Sequence, residues 1–269
     1  MTRTPLLVAN WKMNKAPAEA AILAQDILNR LDLRQLKKRL ELVFCPPYVD
    51  LSTVATVIRY EHAAIGLGAQ DVFWQPNGAF TGAISAAMLA QIGCEYCIIG
   101  HSERRQWFAE TDADIQRKLR ALAAAGIRPI LCLGESLELR QAGAAAAQDF
   151  VLGQMRAALT DPVSGQLQPP PTDLVIGYEP VWSIGSGQTA TPGDAQDMAA
   201  ALRAELTDLF DEELATSVRI IYGGSLLAAN IALFIEQPDI DGGLVGSASL
   251  EADEFSALVR AVLTARLPD

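Results

Sequence analysis

Short apolar, β-branched runs recur along the chain with longer amphipathic segments between them, the alternation expected of a parallel sheet covered by helices. Eight runs have this character: Leu6–Lys12, Glu41–Pro46, Ala64–Gln70, Tyr96–His101, Arg128–Gly134, Leu174–Glu179, Val218–Gly223 and Gly242–Gly246. Most carry few internal charges, as strands buried on both faces should. Most also end in polar or small residues rather than fading symmetrically. Asn10-Trp11-Lys12, Gly100-His101-Ser102-Glu103, Gly134-Glu135 and Glu179-Pro180 all fall at the C-terminal side of a run.

Caps and periodicity mark the helices between them. Asp112 precedes a segment through Ala125 with Ile115, Leu119 and Leu122 on one face and Gly126 as its stop. Thr191-Pro192 opens a segment through Phe210, the proline standing where its missing N–H costs nothing. A Pro/Gly/Ser/Gln stretch from about Thr160 to Asp173, ending in Pro169-Pro170-Pro171, excludes regular helix and central strand. It follows a helix and precedes a strand, so in a barrel it lies on the bottom face and reads as a tolerated insertion, not a domain boundary. Eight strand–helix units at about 34 residues each match a (β/α)8 TIM barrel, an α/β fold in one domain over 1–269. A doubly wound open sheet shows the same alternation, so the motifs must decide.

With 21 Lys and Arg against 32 Asp and Glu, the net charge of −11 disfavours broad basic patches for nucleic acid or anionic lipid. Any anionic ligand is therefore held locally. Four cysteines, Cys45, Cys94, Cys97 and Cys132, are too few for a disulfide scaffold and sit in or beside strand-like runs. Reduced thiols and a cytoplasmic location are expected. The segment Met1 to Asn10 is too short for a signal-peptide core, and no run approaches the roughly 18 apolar residues of a membrane helix. Cys94-Glu95-Tyr96-Cys97 has redox spacing but no second pair for a metal, so it reads as structural, as does Cys132; His62 reads as a surface residue.

Three charged or titratable residues stand at strand ends. Lys12 closes the first run, where a cation must find a counter-charge or a bound anion. His101, one of two histidines, follows the fourth run. Glu179 ends the sixth and is followed by an apolar segment and Gly185-Ser186-Gly187, the arrangement of a base beside a hinged lid. Taken singly, Lys12 and His101 also fit a snorkelling lysine and a structural histidine.

From residue 6 to about 250 the chain resembles the triosephosphate isomerase family. The resemblance is carried by Asn10 to Asn14, Gly68-Ala69-Gln70, Asn77 to Gly82, Gly100 to Arg105, Cys132 to Glu135, Tyr178 to Gly187, Tyr222 to Ser225 and Leu244-Val245-Gly246. Each segment is weak alone; in this order, each at a strand's C-terminal end, they are highly specific. The resemblance implies a (β/α)8 barrel that interconverts dihydroxyacetone phosphate and glyceraldehyde 3-phosphate through an enediol(ate), without cofactor or metal. It implies that Glu179 is the base, that His101 is a neutral electrophile with its pKa depressed by a helix starting near Ser102, and that Lys12 supplies positive potential. Asn10 donates a side-chain hydrogen bond and Glu103 orients Lys12. Backbone N–H groups of Gly185, Ser225, Gly246 and Ser247 hold the phosphate. Pro180 to Ala190 is the lid, its core Pro180, Val181, Trp182, Ser183, Ile184, Gly185, Ser186 and Gly187, with Trp182 an anchor at its first hinge. The loop Asp71–Gly82, rich in aromatics, implies a homodimer in which Thr81 approaches the partner's site.

Several residues depart from the family's pattern. Ala83 replaces a glutamate that usually pairs across the interface with the arginine at 104, so either Arg104 finds another carboxylate or the dimer is weaker. Ser247 replaces the second glycine of the last phosphate loop, which is harmless if φ there is not positive. Gly243 replaces a phenylalanine, Glu251-Ala252 a Lys-Pro, Ser183 an alanine and Ser186 a threonine. The alternatives are a paralogue acting on another small phosphorylated ketose such as erythrulose phosphate, a Schiff-base aldolase using Lys12, and a non-catalytic barrel. The last would be expected to have lost Lys12, His101 or Glu179, and all three are present.

Overall fold

The computed structural model describes residues 3–171, 173–184 and 189–265. Eight parallel strands close on themselves in sequence order: β1 (Leu6–Asn10), β2 (Glu41–Cys45), β3 (Gly66–Ala69), β4 (Tyr96–Ile99), β5 (Arg128–Leu133), β6 (Val175–Tyr178), β7 (Arg219–Tyr222) and β8 (Gly242–Val245). The seam joins β1 to β8 in the register Leu6↔Gly242 through Ala9↔Val245. The eight sequence runs are thus the eight strands, and the open-sheet alternative falls with the closed topology.

Each run overshot its strand at the C-terminal end. Lys12, Gln70, His101, Glu179, Gly223 and Gly246 lie just past the last ladder residue. This is a consequence of the barrel: hydrogen bonding stops at the rim, and the chain continues extended for one to three residues before turning, carrying its polar side chains over the mouth.

Inside the barrel, alternate residues face inward by the two-residue period of a strand. Leu6 and Val8, Val43 and Cys45, Tyr96 and Ile98, Ile130 and Cys132, Val175, Ile221 and Leu244 form this inner cluster. β3 offers only Gly66 and Gly68 there, and a Cβ on Gly68 would stand 2.5 Å from Cys45 Sγ. The other set, including Leu7, Ala9, Leu42 and Phe44, packs outward on the helices.

The floor of the barrel is ionic. The Tyr96 hydroxyl donates to Glu41 at 2.6 Å and accepts from Arg128 and Arg219 at 2.5 and 2.9 Å, and both arginines also bond Glu41. Burial pushes the Glu41 carboxyl up, but the Tyr96 hydroxyl and the two guanidinium groups outweigh it and hold the group below its ordinary value.

The helix Asp112–Ala125 buries Ile115, Leu119 and Leu122 as expected and ends at Gly126 with φ +70°. Its cap is Thr111, not Asp112: the threonine hydroxyl accepts from the Asp114 amide while Asp114 reaches back to the Thr111 amide. The helix Pro192–Leu209 is capped by Thr191, and Phe210 stands outside it. The Pro-rich stretch between β5 and β6 contains, among its described residues, no strand or helix beyond an isolated bridge, Thr160↔Leu167. All four cysteines are buried as free thiols, and His62 is exposed. Among the described residues no helix is long and apolar enough to cross a membrane, and no group of three or more His, Cys, Asp or Glu is arranged to hold a metal ion.

Candidate active site

The rim residues beyond β1, β4, β6, β7 and β8 enclose a cavity of about 600 Å³, lined among others by Asn10, Lys12, His101, Glu179, Ser225 and Ser247. Lys12 reaches it from a left-handed backbone, φ +52°, which a side-chain-bearing residue adopts only when its surroundings hold it there. Two groups do so. Asn10 Oδ1 accepts from the Lys12 amide at 3.0 Å, and Gln70 Nε2 donates to the carbonyls of Lys12 and Cys45, both at 2.8 Å. With its oxygen so used, Asn10 keeps Nδ2 for the cavity. The Lys12 ammonium donates to Glu103 Oε1 at 2.7 Å. Both partners are part-exposed, so the pair adds little to stability. Its effect is directional, aiming the amine across the mouth, where a Cβ on Gly246 would stand 3.8 Å from Nζ.

His101 is the N-cap of the helix Ser102–Trp107, and its Nδ1 accepts from the Glu103 amide at 3.2 Å. An accepting Nδ1 carries no proton, so the ring is the Nε2–H tautomer. Nε2 meets Glu179 Oε1 at 3.0 Å, and the other carboxylate oxygen accepts from the Ser102 amide at 3.1 Å. Both side chains are buried. Burial raises the Glu179 pKa, but His101 and the Ser102 amide prevail and hold it below the ordinary carboxylate range. For His101, burial works against charge, yet the adjacent Glu179 carboxylate moves the net shift upward. The expected depression is therefore corrected. The helix terminus is where the sequence implied, but a carboxylate in direct contact outweighs a six-residue helix while it remains there.

Ser225 and Gly246 follow β7 and β8 on the cavity wall. Ser247 begins a one-turn 3-10 helix, Ser247–Leu250, whose first amides have no partner within the turn, and its φ is not positive, so serine fits the glycine position without strain. Gly185, Ser186 and Gly187 of the expected lid lie outside the described residues. Gly243 does not face the cavity: its missing side chain leaves room filled by Leu226, whose Cδ1 would lie 2.6 Å from a Cβ there. It therefore gives no support to an enlarged substrate pocket. Arg104 has found other carboxylates within its own chain, Asp71 at 2.8 Å and Glu110 at 3.0 Å, and Lys118 joins the same two acids at 2.6 and 2.8 Å.

Two further residues, Gln70 and Glu135, stand in the motifs and hold the site together. Gln70 is the clamp just described. Glu135 is fully buried, and its Oε1 accepts from the Trp182 indole at 2.8 Å and the Tyr178 hydroxyl at 3.1 Å, fixing the start of the lid to the β5 loop. The Val181 amide donates to the Glu135 carbonyl at 3.1 Å. Strand-end position was their only sequence signal, because both act on groups distant in the chain.

A closed barrel whose rim brings a buried carboxylate, an imidazole and an ammonium around one small cavity defines a proton-transferring barrel enzyme. The family profile described as triosephosphate isomerase matches residues 5–262. Triosephosphate isomerase of Chloroflexus aurantiacus is 49% identical over 257 residues, covering 96% of this chain and 98% of the relative. That of Roseiflexus sp. (strain RS-1) is 48% identical, covering 96% and 97%, and that of Lactobacillus delbrueckii subsp. lactis 44%, covering 96% and 98%. The chain belongs to the triosephosphate isomerase family and is an isomerase of this kind.

Proposed function

We propose that this chain interconverts dihydroxyacetone phosphate and D-glyceraldehyde 3-phosphate, with Glu179, His101 and Lys12 in the roles the family motif implies. The observation that carries this reading is the Glu179–His101 contact, a base and an Nε2–H donor side by side over a cavity that Lys12 overlooks. Both Glu179 oxygens are engaged, so the carboxylate must turn off His101 or the Ser102 amide to reach carbon. It takes a proton from the carbon bearing the hydroxyl, and the electron pair moves to the carbonyl oxygen as the enediolate forms. His101 Nε2–H and Lys12 face that developing charge. The neighbouring carbon then receives the proton from Glu179, while the hydroxyl hydrogens redistribute through His101. Once Glu179 leaves the ring, burial and the Lys12 ammonium favour the neutral imidazole that this step requires, against the pull of the Glu103 carboxylate. Asn10 Nδ2 supplies a further donor, and Glu103 positions Lys12. The amides of Gly185, Ser225, Gly246 and Ser247 hold the phosphate, and the segment from Pro180 to Gly187 covers it, excluding water from the enediolate.

The test is turnover of glyceraldehyde 3-phosphate in a coupled assay beside Glu179→Asp, which withdraws the carboxylate by about one methylene. A misplacement of about 1 Å costs on the order of 100-fold, so kcat should fall at least that far with KM little changed. A near wild-type rate would remove Glu179 from its role.

The same reading includes a homodimer through Asp71–Gly82 and a cytoplasmic site of action. In support, residues 75–83 project into solvent, with the Phe73 ring in tilted contact with Trp74 and Phe80 at 4.1 and 4.6 Å, and Met13 beside the site is almost wholly exposed. Sedimentation should give twice the chain mass. A monomer at micromolar concentration would remove the dimer.

A further inference from the structure

The loop after β7 is held from two sides. On its outer side, the Asn230 side chain accepts from the Leu227 amide at 2.8 Å and donates to the Ser225 carbonyl at 3.0 Å. The Asn230 amide in turn donates to the Leu227 carbonyl at 3.1 Å. Between the two residues tied in this way stands Leu226, buried and yet part of the cavity wall.

The seat of Leu226 is made by a missing side chain. Gly243 pairs with Leu7 of β1 and Tyr222 of β7 in the barrel ladder. Leu244, its neighbour, belongs to the inner cluster, so by the alternation of a strand position 243 faces the helices. A Cβ there would lie 2.6 Å from Leu226 Cδ1 and 3.3 Å from both Ile231 Cδ1 and Leu7 Cδ2. Carbon atoms in contact prefer about 3.5–4.0 Å, so a side chain at 243 and Leu226 in its present place exclude one another by about 1 Å. Leu7 and Ile231 are fully buried and wall the same space. A displaced Leu226 is therefore driven toward the cavity it borders, and it carries the adjoining Ser225 peptide with it. Hydrogen bonds from an amide hold within a window of a few tenths of an ångström, so a small shift there is felt by an anion.

We infer that Leu226 is a positioning residue for the phosphate: seated in the socket that Gly243 leaves, it fixes the Ser225 amide at the cavity wall. This rests on the reading that Ser225 holds the phosphate of a triose phosphate. Any side chain at 243 closes the socket, and the family usually carries phenylalanine there, so the seat belongs to the Gly243 and Leu226 pair of this chain. Its effect falls on anion binding and not on the proton transfer.

The experiment compares Gly243→Ala with the double variant Gly243→Ala/Leu226→Val, in which the δ-carbons that meet the new methyl are gone. Turnover of glyceraldehyde 3-phosphate, competitive inhibition by inorganic phosphate and thermal unfolding are measured on the intact protein. In Gly243→Ala, KM and the Ki of phosphate should rise together by about three- to tenfold, the range of one hydrogen bond. Loss of binding common to ground and transition states leaves kcat within about twofold. The double variant should return both constants to within about twofold of the parent, because the neighbours couple through one space. A folded Gly243→Ala enzyme with parental phosphate Ki would overturn the inference, as would a double variant no better than the single. A merely structural contact would lower the melting temperature and leave Ki unmoved, which counts against it equally. If Gly243→Ala does not fold, Leu226→Ala decides: it empties the socket, and a parental phosphate Ki there overturns the inference too. A parent that does not turn over glyceraldehyde 3-phosphate removes the proposed function, whereas an active parent beside variants with unchanged phosphate Ki removes only the seat.

Discussion

Gly223, the first residue past β7, gives the most direct test of how tightly the base is held. A Cβ on Gly223 would lie 2.8 Å from Glu179 Cγ, 3.5 Å from its Oε1 and 3.5 Å from the Tyr178 carbonyl oxygen. Carbon atoms in contact prefer about 3.5–4.0 Å, so Gly223→Ala demands about 1 Å of relief. The backbone cannot supply it cheaply, since the Gly223 amide is bonded to the Tyr178 carbonyl at 2.7 Å. The Glu179 side chain can, by rotating away from Gly223. Overpacking relieved by one side chain belongs at the low end of the usual 1–3 kcal/mol, whereas a base misplaced by about 1 Å loses on the order of 100-fold in rate. The variant should therefore melt within a few degrees of the parent and turn over about 100-fold more slowly. Coupled assays in both directions supply a check: the equilibrium constant is fixed, so forward and reverse kcat/KM must fall by the same factor. A folded Gly223→Ala enzyme with parental kcat would refute the placement of the base, and so would a protein that is mainly unfolded.

Replacing His101 by Gln should move the acid limb of kcat/KM to higher pH. The Glu179 pKa is held low by His101 against burial, so the ionised base is present above that depressed value and lost below it, and removing the imidazole raises the value; a pH–rate profile whose limb stays put or moves down contradicts this. Lys118→Met leaves Asp71 and Glu110 with Arg104 alone in a buried setting, and urea unfolding should show a loss of about 3–5 kcal/mol; a loss under 1 would mean that the acids find other partners. Glu41 has a lowered folded pKa, so its contribution is complete above the unfolded value near 4.3 and disappears as pH falls through the folded one. Glu41→Gln should accordingly flatten the acid side of melting temperature against pH, and an unchanged slope there counts against the floor network as its origin.

The barrel was legible because strands buried on both faces leave continuous apolar runs, and because the rim residues that follow them form short motifs in fixed order. Their ends were not, since periodicity is blind to where ladder hydrogen bonding stops. Thr111 was missed for Asp112 because both can cap a helix, and only the direction of the Asp114 bond separates them. The positions of Lys12, His101 and Glu179 could be read, but not what holds them. The Lys12 backbone depends on Gln70, 58 residues away, and Trp182 on Glu135, 47 residues away. The upward shift at His101 arises from a contact with Glu179 that strand order alone does not imply. Ser183 is a mild exchange for alanine by sequence, and only the fold shows its hydroxyl donating to the Pro180 carbonyl.

The in-chain partners of Arg104 alter what association between subunits would have to accomplish. Where a cross-subunit glutamate neutralises an arginine, each separated subunit is left with an exposed, unmatched cation, and added salt eases the two apart. Here the arginine is matched before any encounter, so cohesion would reside in the uncharged loop tip around Phe80 and in shape. Such an assembly should tighten on warming from the cold and barely respond to potassium chloride.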